Sequence, residues 1–396
     1  MRSVRLISAM TLLAASSAGT LAADLPAAPE PVDYVRVCDA YGTGFFYIPG
    51  TETCLRVEGR VRAEYRFDNF GNRDNAWDDR GDFGTYTRAR GTIRLDARTN
   101  SEYGLIRAYI DTYFESNSND LENEANNGTD TGTTLEHAFV QFGNFTFGRT
   151  ASMYDFWTGY SYGNFQTQYT DVRTWIAAYT ADLGNGLTTT VSIEDGTTRR
   201  WNLEGGSATY AGHRLPDLVA NLRIDQAWGS AQIMGALHET RFEDTDAKTK
   251  AGYAIGAGVQ INVPFLGAGD AVALQAMYGN GASGYVLDSW DDAITDATLD
   301  GTKTKTTKAW GIGAGYLHNF NEQWDANIEG GYYSADAAGS ANDFKQWGAN
   351  FNVNWKPISD FSIGTEFAYR AFDYNRNSGR RDRDEFYTTI RVERVF

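Results

Sequence analysis

Arginines recur two or four residues apart in two stretches near the amino-terminal end of the chain, 56–66 and 88–98, and further arginines occur singly elsewhere. A guanidinium stays positively charged at physiological pH and binds carboxylates and other anionic groups through several N–H donors. If these side chains share one surface, they form a basic patch that attracts anionic solutes. They are Arg56, Arg60, Arg62, Arg66, Arg88, Arg90, Arg94, Arg98, Arg107, Arg370 and Arg391.

Acidic residues are interspersed with these arginines. Two interpretations follow: either the arginines set the field that a solute meets, or the charges pair with one another and only satisfy a polar face. The acids are Glu58, Glu64, Asp96, Asp111, Glu366 and Glu393.

Catalytic and metal-binding motifs are weak in this sequence. Residues 159–163 read Gly-Tyr-Ser-Tyr-Gly and fit the G-x-S-x-G pattern. A nucleophile elbow needs a strand-to-helix turn, whereas this motif lies among aromatic residues with no helical period after it. His137, His213, His238 and His318 lack metal-ligand spacing. We therefore expect no catalytic residue, no metal and no cofactor.

The elements that carry the arginines have a strand pattern. Between residues 55 and 67 one parity is apolar or small, as in Val57 and Val61, and the other is charged. Successive side chains of a strand point to opposite faces. The same alternation recurs at the carboxyl end, where Ile390, Val392 and Phe396 share a parity. Each strand thus has one apolar and one polar face.

Similar alternating segments fill the chain and give sixteen predicted strands in all. The remaining segments are 86–99, 103–115, 134–143, 145–149, 173–183, 186–194, 217–227, 229–239, 251–263, 270–279, 307–319, 323–334, 344–355 and 358–372. Short turns alternate with long polar connections at 68–85, 116–133, 150–172, 195–216, 280–306, 335–343 and 373–383. Long loops on one rim, short turns on the other and a polar interior are typical of transmembrane barrels. A soluble sandwich would point its apolar faces inward instead.

We therefore predict an all-β fold: an antiparallel up-and-down transmembrane β-barrel of about 16 strands over residues 55–396. Closure leaves no unpaired strand edge in lipid. Glycine runs such as Gly252, Gly256, Gly258 and Gly311, Gly313, Gly315 then mark bends or close packing.

The connection at 150–172 is aromatic where the other long loops are polar. Its side chains include Tyr154, Asp155, Phe156, Trp157, Tyr160, Tyr162 and Asp171, of which only the two aspartates are acidic. Such a loop is unfavourable in water, so we hypothesise that it folds into the barrel and narrows it. The alternative is that it caps a neighbouring subunit.

Charge and hydropathy exclude several classes of protein. The 396 residues carry 35 Lys and Arg against 51 Asp and Glu, for a net charge of -16. This balance argues against nucleic acid as a partner, because phosphate binding requires an excess of basic residues. After the first two dozen residues, no run approaches the roughly 18 apolar residues of a membrane-spanning helix.

The amino-terminal residues predict export. Residues 1–22 resemble a secretory leader with Arg2 and Arg5 before an apolar stretch; a buried helix is the alternative. Residues 23–54 would form a separate segment before the barrel. It contains Cys38 and Cys54, which we expect to form one disulfide in an oxidising compartment, with two free thiols as the alternative.

The inward parity of the later strands is neutral or acidic. This face would lie across a narrow lumen from the arginines. The two walls together would create a transverse electric field that orients polar solutes. Its members include Gln260, Asn262, Gln275, Asp325, Asn327, Glu329, Asn350, Asn352 and Asn354.

The block from Val35 to Val57, which contains both cysteines, closely resembles the alphaproteobacterial outer-membrane porins of the Brucella and Rhizobium type. The resemblance extends more loosely to the strand at 136–143, the loop at 156–160 and the terminal strand ending in Phe396. It implies a homotrimeric, 16-stranded water-filled channel in outer-membrane lipid. Small hydrophilic solutes and ions would diffuse through it, past a third loop that enters the lumen. General porins often have several acids in that loop, whereas the loop at 150–172 has only Asp155 and Asp171, so the resemblance does not imply a strongly acidic constriction.

Two other functions stay open at this point. One is a substrate-specific outer-membrane channel for sugars or small anions, in which loop aromatics stack on sugar rings. The other is a structural or adhesive barrel whose acidic loops bind outside the cell. A measurement of single-channel conductance distinguishes these two functions from a general diffusion channel.

Overall fold

The computed structural model describes residues 36–67, 84–118, 129–163, 170–204, 209–243, 246–287, 294–337 and 343–396. Within them, sixteen strands close one antiparallel sheet, and the two-residue strand Phe46–Tyr47 is added to it opposite Cys54 and Leu55. We number them β1 Cys54–Phe67, β2 Thr85–Ser101, β3 Gly104–Ser118, β4 Thr129–Phe142, β5 Phe145–Ala151, β6 Arg173–Gly184, β7 Leu187–Glu194, β8 Asp217–Gln226, β9 Gly229–Thr240, β10 Lys250–Asn262, β11 Ala271–Asn280, β12 Lys308–Asn319, β13 Trp324–Asp336, β14 Phe344–Ile358, β15 Phe361–Tyr374 and β16 Arg383–Val395.

Each strand pairs with its neighbours in chain order, and the first strand pairs with the last. Arg62 lies opposite Glu393 and Tyr65 opposite Ile390 in the β1–β16 pair. The sheet is therefore a closed barrel, which confirms the predicted fold class. All backbone groups of such a sheet find partners within it, as a lipid environment requires.

The outward parity of the barrel is apolar and exposed. Val61, Phe147, Trp175 and Leu237 are each about half exposed, at 55%, 48%, 53% and 55%. Such a surface suits lipid and not water. Among the described residues, no helix has both the length and the apolar character needed to cross a membrane.

Strand β4 begins earlier than the hydropathy pattern predicts. The predicted segment starts at residue 134, but backbone pairing with β3 continues to Thr129, opposite Ser118. The added residues are mostly Thr, Asp and Gly, so alternation gives no signal there.

The predicted disulfide is present in the amino-terminal segment. Cys38 is bonded to Cys54, with Cα atoms 6.0 Å apart, which confirms the pairing. Phe45 is buried beside it and faces the guanidiniums of Arg56 and Arg98 at 5.0 and 4.9 Å. This segment therefore packs on the inner face of the short-turn end of β1 and β2. The predicted leader, 1–22, lies outside the described residues.

The connection between β11 and β12 differs from the predicted polar, external loop. Tyr285, Val286, Leu287 and Ile294 are fully buried. Thr295–Asp300 and Lys303–Thr306 form a small sheet with Asn202–Glu204 of an earlier loop. Hydropathy missed this packing because buried apolar residues alternate there with acids, several of which lie outside the described residues.

Candidate functional site

The aromatic loop between β5 and β6 lies inside the barrel over its described part. Strand side chains accept hydrogen bonds from its backbone at successive points. Met153 N donates to Glu194 of β7 at 2.9 Å, and Trp157 N donates to Gln275 of β11 at 3.1 Å. The loop therefore follows the inner wall from one strand to the next.

Side chains of β13 and β15 also accept hydrogen bonds from the backbone of the aromatic loop. Glu329 accepts hydrogen bonds from Tyr160 N at 2.5 Å and Ser161 N at 3.1 Å. Glu366 accepts one from Tyr162 N at 2.6 Å. A buried backbone N–H without a partner is costly, so these carboxylates fix the path of the loop.

Sequence reasoning gave these acids and amides a different role. It assigned Gln275 and Glu329 to a polar wall facing the arginines, grouped Glu366 with the arginines, and overlooked Glu194. In the structure all four bind loop backbone. A long aromatic loop with few polar side chains needs acceptors from the wall, and that requirement is the signal that could have identified them.

Glycines on the inward parity leave room for the loop's rings. A Cβ on Gly315 would lie 2.6 Å from Trp157 Cζ2 and 3.0 Å from Tyr160 Cδ2, and a Cβ on Gly258 would collide with Phe156. The interpretation of these glycines as sites of close packing is therefore confirmed. Tyr154 and Trp157 are buried, at 0% and 3% exposed.

The two acids of the loop are engaged locally. The side chain of Asp155 is 3% exposed, accepts a hydrogen bond from Val172 N at 2.7 Å and pairs with Arg199 at 2.7 Å. Asp171 pairs with Arg173 where the chain enters β6. Burial raises the pKa of Asp171, while the Arg173 guanidinium acts in the opposite direction. Burial and the nearby Glu329 carboxylate raise the pKa of Tyr160 to about 12.

The predicted arginines lie together on the inner faces of β1, β2, β3 and β16, which are neighbours in the closed sheet. We call this group the arginine arc. Its members are Arg56, Arg60, Arg62, Arg66, Arg88, Arg90, Arg94, Arg98, Arg107 and Arg391. Arg370 on β15 extends the group and pairs with Glu385 at 2.5 Å.

Most members of the arc are paired with an acid on an adjacent strand. Close N–O contacts join Arg62 to Glu393 at 2.9 Å, Arg88 to Glu64 at 2.6 Å, Arg90 to Glu115 at 2.6 Å, Arg94 to Asp111 at 2.6 Å, Arg107 to Asp96 at 2.9 Å and Arg391 to Glu64 at 2.5 Å. Arg98 binds Asp96 on its own strand at 2.7 Å. Pairing and a shared basic surface therefore coexist.

Three members of the arc have longer contacts with carboxylates or stack on aromatic rings instead. Arg60 approaches Glu393 at 3.8 Å, a carboxylate that Arg62 already binds. Arg56 lies 3.4 Å from Glu58. Arg66 stacks on the rings of Tyr86 and Tyr387 at 4.8 and 4.7 Å.

The aromatic loop reaches the arginine arc at Tyr162. Arg391 donates to the carbonyl oxygen of Tyr162 at 3.0 Å, and its guanidinium lies 3.8 Å from the centre of the Tyr162 ring. The described loop therefore runs from β7 to the edge of the arc.

Ser161 of the G-x-S-x-G pattern and two of the histidines considered for metal binding make structural hydrogen bonds. Ser161 lies in the aromatic loop, where its hydroxyl accepts a hydrogen bond from Gly163 N at 3.2 Å. His238 bonds Asp217 at 2.8 Å, and His318 bonds Asp270 at 2.7 Å. Within the described ranges, no three His, Cys, Asp or Glu residues are grouped to hold a metal ion.

Comparison of structures relates this fold to other outer-membrane barrels. The outer membrane channel DcaP of Acinetobacter baumannii superposes with a TM-score of 0.71 at 16% identity, covering 88% of this chain and 99% of that one. OmpT of Vibrio cholerae, an outer membrane protein, superposes with a TM-score of 0.53 at 9% identity, covering 88% of this chain and 99% of that one. At these identities the likeness shows the fold alone.

Comparison of sequences goes further. Porin Omp2b of Brucella abortus (strain 2308) is 28% identical over 389 residues, covering 94% of this chain and 92% of the relative. Porin Omp2b of Brucella neotomae is 34% identical over 267 residues, covering 63% of this chain and 68% of the relative. A porin subfamily model matches residues 23–391. The chain therefore belongs to the porin subfamily and is an outer-membrane channel for diffusion.

Proposed function

We propose that small hydrophilic solutes and ions cross the membrane passively through a constriction between the arginine arc and the aromatic loop. The supporting observation is the contact of Arg391 with Tyr162, at 3.0 Å, which brings the described part of the loop to the edge of the arc. The described loop residues bind inward side chains of strands between β7 and β15, so in this proposal the arc is the charged wall that a solute meets. Neither Ser161 nor a histidine takes part in chemistry in this proposal.

The arc gives the channel a weak preference for anions. Glu194, Glu329 and Glu366 lie behind the loop and bind its backbone, which reduces the transverse field that the sequence predicts. The arginines face the passage with acids between them, so the preference is small.

A substrate-specific channel for small anions is the second candidate, favoured by the loosely held Arg60. Sugar stacking on the loop is less favoured, because Tyr154 and Trp157 are buried. A conductance blocked by one anion, and unaffected by others of equal size, would support the specific channel.

Deletion of residues 153–163 tests the constriction. We expect a larger single-channel conductance in planar bilayers, because the loop would no longer cover the wall. The uncovered carboxylates should also move the reversal potential toward cation preference. An unchanged conductance in a folded, heat-modifiable barrel would contradict the proposal.

We further propose that three copies assemble, as the resemblance implies, and that the outer face of β4 to β6 takes part in the contact. Arg149 shares the outward parity of Phe147, and its guanidinium lies 4.9 Å from the centre of the Trp175 ring. Its N–H groups donate to the carbonyl oxygens of Leu135 and Arg173, both at 2.9 Å. An arginine costs about 2–4 kcal/mol at the lipid midplane, so a protein neighbour suits this face better than lipid.

Bulky substitutions on two outer faces test this contact. Ala177→Trp beside Trp175 should lower the temperature at which an SDS-resistant oligomer releases monomers, because it disturbs the packing between copies. Ala349→Trp on the outer face of β14 is the matched control and should have little effect. Equal behaviour of the two variants would place the interface elsewhere, and an absence of oligomers would contradict the trimer.

A further inference from the structure

The described part of the connection between β11 and β12 lies against the inner wall, as the described part of the aromatic loop does. Val286 fits over two inward glycines, because a Cβ on Gly279 or Gly311 would lie 3.0 or 3.4 Å from its methyl groups. Tyr285 contacts the aromatic loop directly, with its ring centre 4.9 Å from that of Tyr154. We call the described residues of this connection, 281–287 and 294–307, the second inner loop.

The second inner loop lies nearer the rim of the long loops than the aromatic loop does. On β12 the former faces Gly311 and the latter faces Gly315, four residues farther toward the short turn. This separation is about 13 Å along a strand. The two loops are therefore stacked along the axis of the barrel.

Asp296 holds the second inner loop together. Its carboxylate is fully buried and accepts hydrogen bonds from Ser283 N at 2.7 Å, Trp201 N at 2.8 Å and the Tyr210 hydroxyl at 2.7 Å. Tyr285 is fixed separately, since its hydroxyl donates to Asp217 of β8 at 2.6 Å. These contacts give the segment a defined position inside the barrel.

Arg199 connects the two loops. Its side chain is 1% exposed, donates to Asp155 of the aromatic loop at 2.7 Å and donates to the Gly284 carbonyl of the second inner loop at 3.0 Å. The guanidinium also lies 4.5 Å from the centre of the Tyr285 ring. One buried cation thus bonds to both loops.

We propose that the second inner loop forms a second constriction, nearer the long-loop rim, and that Arg199 is a positioning residue that keeps both loops in register. The proposal rests on the proposed function, because it assumes that the aromatic loop narrows the passage. Removing one partner of a buried ion pair leaves the other charge uncompensated, whereas removing both does not. Loss of Arg199 alone should therefore loosen the base of the aromatic loop as well as the second loop.

The test compares single-channel records of variants that remain heat-modifiable barrels. Arg199→Gln should raise the mean conductance and add rapid current fluctuations, and the Arg199→Gln, Asp155→Asn double variant should fluctuate less than the single variant. Arg199→Lys, which keeps the charge with a smaller donor set, should lie between wild type and Arg199→Gln. Arg214→Gln is the matched control, since Arg214 is an exposed arginine of the same connection, paired with Glu239 at 3.0 Å. Equal fluctuations in the single and double variants would overturn the role of Arg199.

A second variant tests the constriction itself. Deletion of residues 295–306 should raise the conductance while the aromatic loop remains, and an unchanged conductance would overturn the second constriction. These results are distinguishable from failure of the proposed function, which deletion of 153–163 alone addresses. If that deletion raises the conductance and the 295–306 deletion does not, only the second constriction fails.

Discussion

The two inner walls of the barrel use the same alternation of side chains for different purposes. On β1, β2 and β3, inward arginines and acids pair sideways across strands, and the inward positions contain no glycine. On β7 to β15, inward acids and amides bind loop backbone, and glycines such as Gly258 and Gly315 admit aromatic rings. Charge on an inward face therefore does not by itself identify a pore surface, because a loop can cover it.

The largest expected difference between the walls comes from removing one acid on each. Glu329→Ala leaves the N–H groups of Tyr160 and Ser161 without their acceptor. The free energy of unfolding should fall by about 1–3 kcal/mol for each N–H. Glu393→Ala on the arc removes a partner of Arg62 that is 20% exposed, so the expected cost is smaller, because water from the lumen can solvate the guanidinium that is left. Chemical unfolding of both variants in detergent micelles measures the difference. Equal destabilisation would remove the distinction between the walls.

A smaller effect is expected from adding a side chain to an inward glycine. Gly315→Val should displace Trp157 and Tyr160, destabilise the barrel by about 1–3 kcal/mol through overpacking and change the single-channel conductance. The control is Gly91→Val on the outward parity of β2, where a new Cβ meets nothing within 4 Å. A wild-type conductance in the Gly315 variant would mean that the rings above this glycine do not shape the passage.

Alternation and loop length predicted the barrel, its sixteen strands and the contiguity of the arginine arc, because lipid forces one apolar face on every strand. The polar end of β4 was not predicted, because its backbone pairs with β3 through residues whose hydropathy does not alternate. The partners of the aromatic loop were not predicted either, because Glu194 and Glu329 have the same parity whether they face water or a loop. The buried second inner loop and the role of Arg199 depend on contacts between distant segments, which a single sequence does not display.

The reversal potential in a salt gradient tests the central claim most directly, for a channel in which Arg60, Arg62, Arg90 and Arg94 are replaced by Gln. If the arginine arc is the charged wall that ions meet, the reversal potential should shift toward cation preference relative to wild type. Arg394→Gln on the exposed outer face of β16 is the matched control and should leave the reversal potential unchanged. An unchanged reversal potential in the fourfold variant, with conductance retained, would contradict the account, because the arc would then lie outside the permeation path.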